Sequence, residues 1–424
     1  MRASGVLCHV TSLPNGDLRD AERFIDFVAT IGANVWQLLP ITPPDEHSSP
    51  YASPSAFAGW SALCTTDEKG SIEDDSYWLE DWALFSLIRD EMNGAAWTDW
   101  PKGLRDRESE ALKPYRQKID AKISEQARFN GQWQKIRSHS LAKGVSLIGD
   151  LPIFVAHDSA DVWAHRDLFL LEEDGHPSVV AGVPPDYFSE DGQRWGTVLY
   201  DWSNHEAEGW QWWRQRLARM LRLFDKVRID HFRGLHSSWA IPASEETARD
   251  GNWLEGPGVK LLEKLVEVAG DARCIIAEDL GIIPQEVVEL RRRFEIEGMA
   301  VLHFGFSDDN PLNPHNPGNI RSDQVVYTAT HDNDTTVGWW RDCCEKSKKR
   351  VTALAKTGES ICETLIRIAL DSPAGMAIIP LQDLLELGSD ARMNTPGTTA
   401  DNWKWQFAWQ DLDKCCSQQL QRIP

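Results

Sequence analysis

Three carboxylic acids, Asp230, Glu278 and Asp332, each follow a short run of β-branched or apolar residues. If those runs are parallel strands of a barrel, the three side chains meet at the carboxyl face, where barrel enzymes hold their catalytic residues. Two facing carboxyl groups with a third polar group beside them can break a glycosidic bond. Each acid taken alone is more simply explained as a polar residue that ends a strand. The residues around the acids therefore decide between this explanation and a catalytic role.

Arg228 lies two residues before Asp230, so both side chains should project from the same face of the strand. A guanidinium in that position would keep Asp230 ionised, as a nucleophile requires. Glu278 needs the opposite environment, because burial and negative neighbours raise the pKa of a carboxyl group and let it carry a proton near neutral pH. A retaining mechanism places two such carboxyl groups about 5–5.5 Å apart.

The composition indicates a soluble globular protein, with 424 residues, 42% of them hydrophobic, and a mean hydropathy of −0.42. No apolar run has the length of a membrane span. The net charge of −21 would repel nucleic acids and anionic lipid surfaces at long range. Nucleic acid and membrane are therefore not expected partners, whereas a neutral glucan is compatible with this charge. The sequence leaves the oligomeric state open.

The eight cysteines show neither zinc-binding spacing nor a regular disulfide framework, so a reducing cytoplasm is the expected location. Twenty tryptophans are a marked excess, and flat indole faces pack well against sugar rings. Most should nevertheless lie in the core or between helices, as Trp212 and Trp213 on a helical pattern do. Only a few are expected to touch a substrate.

Eight strand-like runs alternate with amphipathic segments, which predicts a (β/α)8 barrel in the α/β class. The predicted strands are residues 5–10, 34–40, 145–154, 226–231, 274–278, 299–306, 324–330 and 376–381. The clearest predicted helices are residues 20–31, 205–224, 258–268 and 284–294.

Two connections are too long to be simple crossovers. Residues 41–144 should hold two or three helices, including a charged one around 110–143, and residues 155–204 are rich in Gly, Pro, Asp and aromatics. Both leave from the carboxyl ends of strands, so both should roof the site. We expect one catalytic barrel over residues 1–424 with inserted subdomains at 41–144 and 155–204.

At this level of detail the chain resembles the amylomaltases, the 4-α-glucanotransferases of glycoside hydrolase family 77 in the α-amylase clan. The resemblance covers nearly the whole chain, and although each motif is weak alone, their joint order is specific. The motifs are SLP (12–14), WQLLP (36–40), SPY (49–51), SAFAG (55–59), GDLPIF (149–154), DSADVW (158–163), GVPPDYFS (182–189), GQRWG (192–196), RIDHFRG (228–234), AEDLG (277–281), HDND (331–334), PLQD (380–383), RMN (392–394) and NW (402–403).

The resemblance implies a role for each acid. Asp230 matches the nucleophile, Glu278 the general acid/base, and Asp332 the third carboxylate that steadies the transition state. The implied substrates are α-1,4-glucans and maltooligosaccharides, and the implied reaction needs no cofactor and no metal.

Further residues match substrate-binding positions of the family. His331 resembles a ligand of sugar hydroxyls, Asp150 a residue that orients the sugar nearest the cleavage point, and Tyr51 the aromatic platform under that sugar. A lid at 182–196 overhangs the acceptor side. The implied substrate-binding set is Arg228, His331, Asp150, Tyr51, Asp186, Tyr187, Phe188, Gln193, Trp195 and Asn394. His231 alternates away from Asp230, and for it a packing role is at least as compatible with the pattern.

The chain departs from the family at several points. The segment after Pro14 is short, Trp60 replaces an Asn, residues 197–198 are Thr-Val where Asn-Pro is usual, and Gln406 replaces an Arg of many relatives. No departure removes a catalytic carboxylate. They leave open the acceptor preference, a second glucan site in 41–144, and the balance of transfer against hydrolysis.

Three alternative functions are weighed against this one. An α-glucan hydrolase on the same scaffold is distinguished by the loop at 182–196, because relatives with this loop transfer more than they hydrolyse. A non-catalytic glucan-binding protein with a decayed site is disfavoured by the intact set Arg228, Asp230, Glu278 and Asp332. A barrel metallohydrolase could use His9, His231 and His331 at strand ends, but no His-x-His pair or metal-ligand spacing is evident.

Overall fold

The structure is a computed structural model that describes residues 3–185 and 190–412. Asp186, Tyr187 and Phe188 of the predicted lid lie outside the described residues. Twelve strands are described, named in chain order: β1 Ala3–Leu7, β2 Val35–Gln37, β3 Ser146–Leu151, β4 Val179–Val183, β5 Gln193–Val198, β6 Lys226–Ile229, β7 Ser237–Pro242, β8 Asn252–Glu255, β9 Ile275–Ala277, β10 Gly298–Val301, β11 Gln324–Tyr327 and β12 Met376–Pro380.

Eight of these strands form one parallel sheet in the order β10-β11-β12-β1-β2-β3-β6-β9. The first strand is central, and its Ala3 lies opposite Met376 of β12 while Gly5 lies opposite Val35 of β2. The sheet closes between its two ends, because the amide of Ala277 donates to the carbonyl of Glu297 at 2.7 Å. The predicted (β/α)8 barrel is confirmed.

Sixteen α-helices are described. They are α1 Ala21–Thr30, α2 Ser76–Glu91, α3 Lys102–Arg105, α4 Ser109–Arg116, α5 Asp120–Lys143, α6 Ala160–Ala164, α7 Trp202–Ala207, α8 Gln211–Leu223, α9 Gly258–Ala269, α10 Gln285–Arg293, α11 Leu302–Gly305, α12 Thr336–Asp342, α13 Glu345–Thr352, α14 Ile361–Asp371, α15 Leu381–Leu384 and α16 Trp409–Leu412.

Most predicted elements differ from the structure by a few residues at their ends, and three differ by more. The helix predicted at 205–224 is two helices, α7 and α8, because the chain turns through positive φ at Gly209 (72°) and Trp210 (61°). The charged helix around 110–143 is likewise divided into α4 and α5. The strand predicted at 299–306 ends at Val301, and α11 takes the remainder.

The core lies between the barrel and its surrounding helices. Phe24, Ile25 and Val28 on one face of α1 are fully buried, and the ring of Phe24 packs edge-on against Trp36 of β2 at 5.0 Å. Most tryptophans belong to this interior, as expected. Those buried in it are Trp36, Trp78, Trp82, Trp97, Trp100, Trp133, Trp163, Trp210, Trp212 and Trp213, whereas Trp403 is buried beside Tyr51 and His331.

The 41–144 connection is fixed to the barrel by a buried polar cluster. Asp75, which is fully buried, accepts hydrogen bonds from Asn130 Nδ2 at 2.7 Å and Trp78 Nε1 at 3.2 Å. Arg219 on α8 lies 3.4 Å from Asp75 Oδ1, and its Nε donates to the carbonyl of Phe57 at 3.2 Å. The inserted helices are therefore held against α8.

A second, antiparallel sheet of four strands, in the order β5-β4-β7-β8, stands beside the barrel. None of its four strands was predicted: β4 and β5 lie in residues 155–204, which were interpreted as loop, and β7 and β8 lie where a simple crossover from β6 to the next helix was expected. In this sheet Gly182 pairs with Trp239 of β7 and with Arg194 of β5. The sheet thereby fixes β5, which carries Gln193 and Trp195.

No helix within residues 3–185 and 190–412 is long and apolar enough to cross a membrane.

Candidate active site

A cleft with a volume of about 480 Å³ opens at the carboxyl ends of the barrel strands. It brings together all three predicted carboxylates. Its lining includes Asp230, Glu278, Asp332, Arg228, Tyr51, His331, Asn394, Gln193, Trp195, His231 and Trp403. The carboxyl ends of β6 and β9 and the turn after β11 supply the three acids, as expected when residues at strand ends converge in a barrel.

Asp230 is held by a buried guanidinium. Arg228 Nη2 donates to Asp230 Oδ1 at 2.7 Å, and Arg228 Nη1 donates to both oxygens of Asp150 at 2.6 and 2.8 Å. Arg228 is 3% exposed and Asp150 is 1% exposed, whereas the side chain of Asp230 keeps 27% of its surface accessible. Asp230 therefore presents a free edge to the cleft while its other side is fixed.

Tyr51 connects this ion-pair group to the opposite wall. Its phenol donates to Asp150 Oδ2 at 2.6 Å, and its ring stacks on the His331 imidazole with 5.3 Å between centroids and an interplanar angle of 7°. The hydrogen bonds of Asp150 go to Arg228 and Tyr51, so in this structure Asp150 orients the site through those two side chains.

Glu278 sits in a setting that differs from that of Asp230. Burial, and after it the Asp230 carboxylate, raises the pKa of Glu278 to about 8, against the lowering effect of Arg228. The backbone amides of His231 and Leu280 donate to its two oxygens at 2.6 and 3.0 Å and also favour the ionised form. Burial outweighs these contacts, so the site favours the protonated form of Glu278.

Asp332 is oriented by two neighbours. Asn394 Nδ2 donates to Asp332 Oδ1 at 2.6 Å, and His331 Nε2 lies 3.4 Å from the same oxygen. Arg392 holds the backbone of Asp332 and Asn394. Its guanidinium donates to the carbonyl oxygen of Asp332 at 2.6 Å and to that of Asn394 at 2.7 Å. The side-chain amide of Asn394 is therefore bound to Asp332, and Asn394 acts on the site by holding that carboxylate.

The far wall of the cleft is formed by β5. Trp195 is 37% exposed, and its indole Nε1 donates to Gln193 Oε1 at 3.1 Å. Its ring stands edge-on to His231 at 4.8 Å. Gln193 and Trp195 therefore lie in the cleft, and among the lid residues predicted to bind substrate they are the two that the structure describes.

Two aromatic residues of the cleft lining, Trp403 and Phe154, were missing from the predicted set. Trp403 packs 5.8 Å from Tyr51 and 6.0 Å from His331, which completes an aromatic group around the stacked pair. Phe154 lies 6.3 Å from Trp195 and lines the same cleft. Both residues stand inside motifs of the family, NW and GDLPIF, and that position was the available signal.

The three histidines considered as metal ligands do not act as a group. His331 and His231 line the cleft, whereas His9 is not part of its lining and is buried, and burial together with His331 lowers its pKa to about 3. Within the residues that the structure describes, no cluster of three or more His, Cys, Asp or Glu side chains is arranged to hold a metal ion.

A closed eight-stranded barrel with acidic residues in a cleft at its carboxyl face is the architecture of the glycoside-processing (β/α)8 enzymes. A family model described as 4-alpha-glucanotransferase matches residues 8–70 and 64–411, almost the whole chain. The chain belongs to this 4-α-glucanotransferase family.

Similar proteins agree with that assignment. The chain is 42% identical to a 4-alpha-glucanotransferase of Thermus thermophilus, over 96% of this chain and 95% of that protein, and 41% identical to one of Synechocystis, over 100% and 97%. It is 40% identical to a chloroplastic/amyloplastic 4-alpha-glucanotransferase of Solanum tuberosum, over 96% of this chain and 82% of that protein.

Among solved structures, an amylomaltase from Streptococcus agalactiae in complex with acarbose superposes with a TM-score of 0.93 at 32% identity, covering 100% of this chain and 98% of that one. An α-amylase from Geobacillus thermoleovorans, at 10% identity and a TM-score of 0.55, shares the fold.

Proposed function

We propose that this enzyme, as a 4-α-glucanotransferase, moves a segment of an α-1,4-glucan from a donor maltooligosaccharide to an acceptor glucan or to glucose, with retention of configuration. One observation carries the mechanism. Asp230 is paired with the Arg228 guanidinium at 2.7 Å, while burial raises the pKa of the neighbouring Glu278 to about 8. An ionised and a protonated carboxyl group in one cleft are what a retaining double displacement requires.

In the first step, Asp230 attacks the anomeric carbon of the donor and forms a glycosyl–Asp ester. The bond between that carbon and the glycosidic oxygen breaks, and Glu278 gives its proton to the departing oxygen. In the second step, the deprotonated Glu278 takes a proton from an acceptor hydroxyl, whose oxygen attacks the anomeric carbon and releases Asp230. Asp332 faces the positive charge that develops on the sugar ring.

The surrounding residues bind and orient the glucan in this proposal. Tyr51 and His331 contact the sugar nearest the cleavage point, and Asp150 acts through Arg228 and Tyr51, because it is 1% exposed. Asn394 fixes Asp332 by a 2.6 Å hydrogen bond. Gln193 and Trp195 serve the acceptor side, and so do Asp186, Tyr187 and Phe188 of the same lid.

A product ladder from maltotriose distinguishes transfer from hydrolysis. Transfer gives glucose together with maltooligosaccharides longer than the substrate, whereas hydrolysis gives only shorter sugars. The exposed Trp195 on the cleft wall favours transfer, because an aromatic surface can hold an acceptor sugar where water would otherwise enter. A ladder that contains only shorter products at high substrate concentration would replace the transferase with an α-glucan hydrolase.

We further propose that the chain acts as one catalytic unit in the cytoplasm, with 41–144 and 155–204 as its inserted subdomains. Six described cysteines are free thiols, which suits a reducing compartment: Cys8, Cys64, Cys274, Cys343, Cys344 and Cys362. Fractionation of cells with an antibody against this chain tests the location.

A further inference from the structure

His231, the residue after Asp230, has an unusual backbone conformation. Its φ is 48° and its ψ is 51°, which is the left-handed region that residues other than glycine adopt uncommonly, Asn, Asp and His more often than the rest. It lies between the end of β6 and the 3-10 turn Phe232–Leu235. A conformation of this kind persists only where the neighbouring structure requires it.

The requirement is visible at the backbone of His231. In this conformation its amide donates to Glu278 Oε2 at 2.6 Å, the shorter of the two backbone hydrogen bonds to that carboxyl group. The charged groups that act on Glu278 are Asp230 and Arg228. The His231 amide is the contact that joins the nucleophile strand directly to the carboxyl group of the proposed acid/base.

The ring of His231 makes a separate contact, with the acceptor-side wall. It meets the Trp195 ring at 4.8 Å and 89°, and Phe154 at 6.3 Å. Its Nε2 is buried and has no hydrogen-bond partner among the described residues, so the ring is held by aromatic packing. Burial lowers the pKa of His231 to about 4, so the ring is neutral at neutral pH.

We propose that His231 is a positioning residue that joins the acceptor-side wall at Trp195 to the proposed acid/base Glu278. The ring fixes Trp195, and the amide fixes the carboxyl group. An acceptor sugar that lies against Trp195 therefore contacts a ring that is packed on His231. The same His231 orients Glu278 for the step in which Glu278 takes the proton of the acceptor hydroxyl. The inference rests on the proposed transferase function.

Substitutions separate the ring from the amide. His231→Gly removes the ring and adopts positive φ without strain, so the amide stays on Glu278. His231→Asn also tolerates this conformation, whereas His231→Val does not, because a β-branched residue is a genuine outlier there. His236→Gly, five residues further on and outside the cleft lining, is the matched control.

The proposed role of the His231 ring is tested by measuring the ratio of transfer to hydrolysis with maltotriose. His231→Gly and Trp195→Ala should each lower this ratio about threefold to tenfold, the scale of one aromatic pair. The double variant should lower it no further than the stronger single variant, because both remove the same contact. His236→Gly should behave as the wild type.

The amide is tested by the pH profile of kcat/KM. His231→Gly and His231→Asn should keep the alkaline limb of the wild type. His231→Val should move it to higher pH, because losing a donor to the carboxylate favours the protonated form of Glu278. Circular dichroism confirms that each variant is folded.

Two results would overturn the inference: an unchanged ratio in His231→Gly, or effects of His231→Gly and Trp195→Ala that multiply in the double variant. An alkaline limb that does not move in a folded His231→Val would refute the role of the amide. A wild-type enzyme that shows no transfer refutes the proposed function instead, so the two failures can be told apart.

Discussion

Arg228 and Asp150 form a buried ion pair next to Asp230. Arg228 Nη1 contacts both carboxylate oxygens of Asp150, and this leaves Nη2 to point at Asp230 with a 2.7 Å hydrogen bond. The guanidinium thus has a fixed orientation before any sugar enters. A preorganised donor of this kind costs no reorganisation during the reaction.

We predict that the hydroxyl of Tyr51 supports this arrangement. Tyr51→Phe removes the donor to Asp150 and keeps the ring that stacks on His331. An unsatisfied group in a buried site costs about 1–3 kcal/mol. Freed from Tyr51, Asp150 can shift Arg228 away from Asp230, so kcat should fall about tenfold with little change in KM, measured with maltotriose.

Tyr77→Phe is the control for that variant. The Tyr77 hydroxyl donates to the carbonyl of Gln215 at 3.2 Å, outside the cleft lining, and its loss should leave both constants unchanged. Equal kinetics for Tyr51→Phe and the wild type would show that Asp150 and Arg228 keep their places without the phenol.

The alkaline limb of the pH profile should lie near pH 8. Burial raises the pKa of Glu278 to about 8, and only the protonated acid can donate to the leaving oxygen. Activity is therefore present below this pH and is lost as the pH rises through it. The apparent pKa of this limb reflects Glu278 together with the charges of Asp230 and Arg228, not Glu278 alone. Measurement of kcat/KM from pH 5 to 10 tests the prediction.

Glu278→Gln with residual activity should lack that limb, because its amide does not titrate in this range. A limb of unchanged position in this variant would assign the titration to another group and refute the role of Glu278.

The inserted helices should depend on Asp75 for their attachment. Asp75→Ala leaves Arg219, which is 2% exposed, without its buried carboxylate. Removing one partner of a buried ion pair costs about 3–5 kcal/mol of stability. The midpoint of urea unfolding should fall accordingly. Asp74→Ala is the matched control, because the Asp74 side chain is 82% exposed and should cost little. Equal midpoints for the two variants would show that the cluster contributes nothing to stability.

The barrel could be predicted from the sequence because each strand is a short β-branched run between amphipathic helices. The second sheet could not, since β8 is exposed along its whole length and has no buried face to give an alternating pattern. The division between α7 and α8 falls at Gly209 and Trp210, both at positive φ; the Gly is a residue type that commonly ends a helix, and this signal was passed over, whereas Trp210 gives no such signal.

The site followed from the sequence where residues are neighbours on one strand, as Arg228 and Asp230 are. Contacts between distant segments did not follow. The bond from Tyr51 to Asp150 spans 99 positions, and the packing of Trp403 on His331 depends on how the last loop returns to the barrel. Such contacts are set by tertiary packing, which periodicity does not encode.

The last prediction separates the nucleophile from the acid/base. Asp230→Ala should abolish turnover in a folded protein, because Asp230 makes the covalent bond to the sugar. Glu278→Ala removes only the protonation of the leaving oxygen, so the rate should fall most for donors whose leaving group is glucose. Fluoride needs little protonation, so an α-glucosyl fluoride donor should still load Asp230.

Azide can then attack the loaded enzyme in place of a deprotonated acceptor. Chromatography and NMR of the product should find an α-azide from Glu278→Ala, with the configuration retained, and none from Asp230→Ala. Glu208→Ala is the control, because Glu208 lies at the end of α7 outside the cleft lining and its variant should transfer to sugars without azide. Rescue of the Asp230 variant, or a β-azide from the Glu278 variant, would contradict the double displacement, since a β product requires a single direct attack on the fluoride.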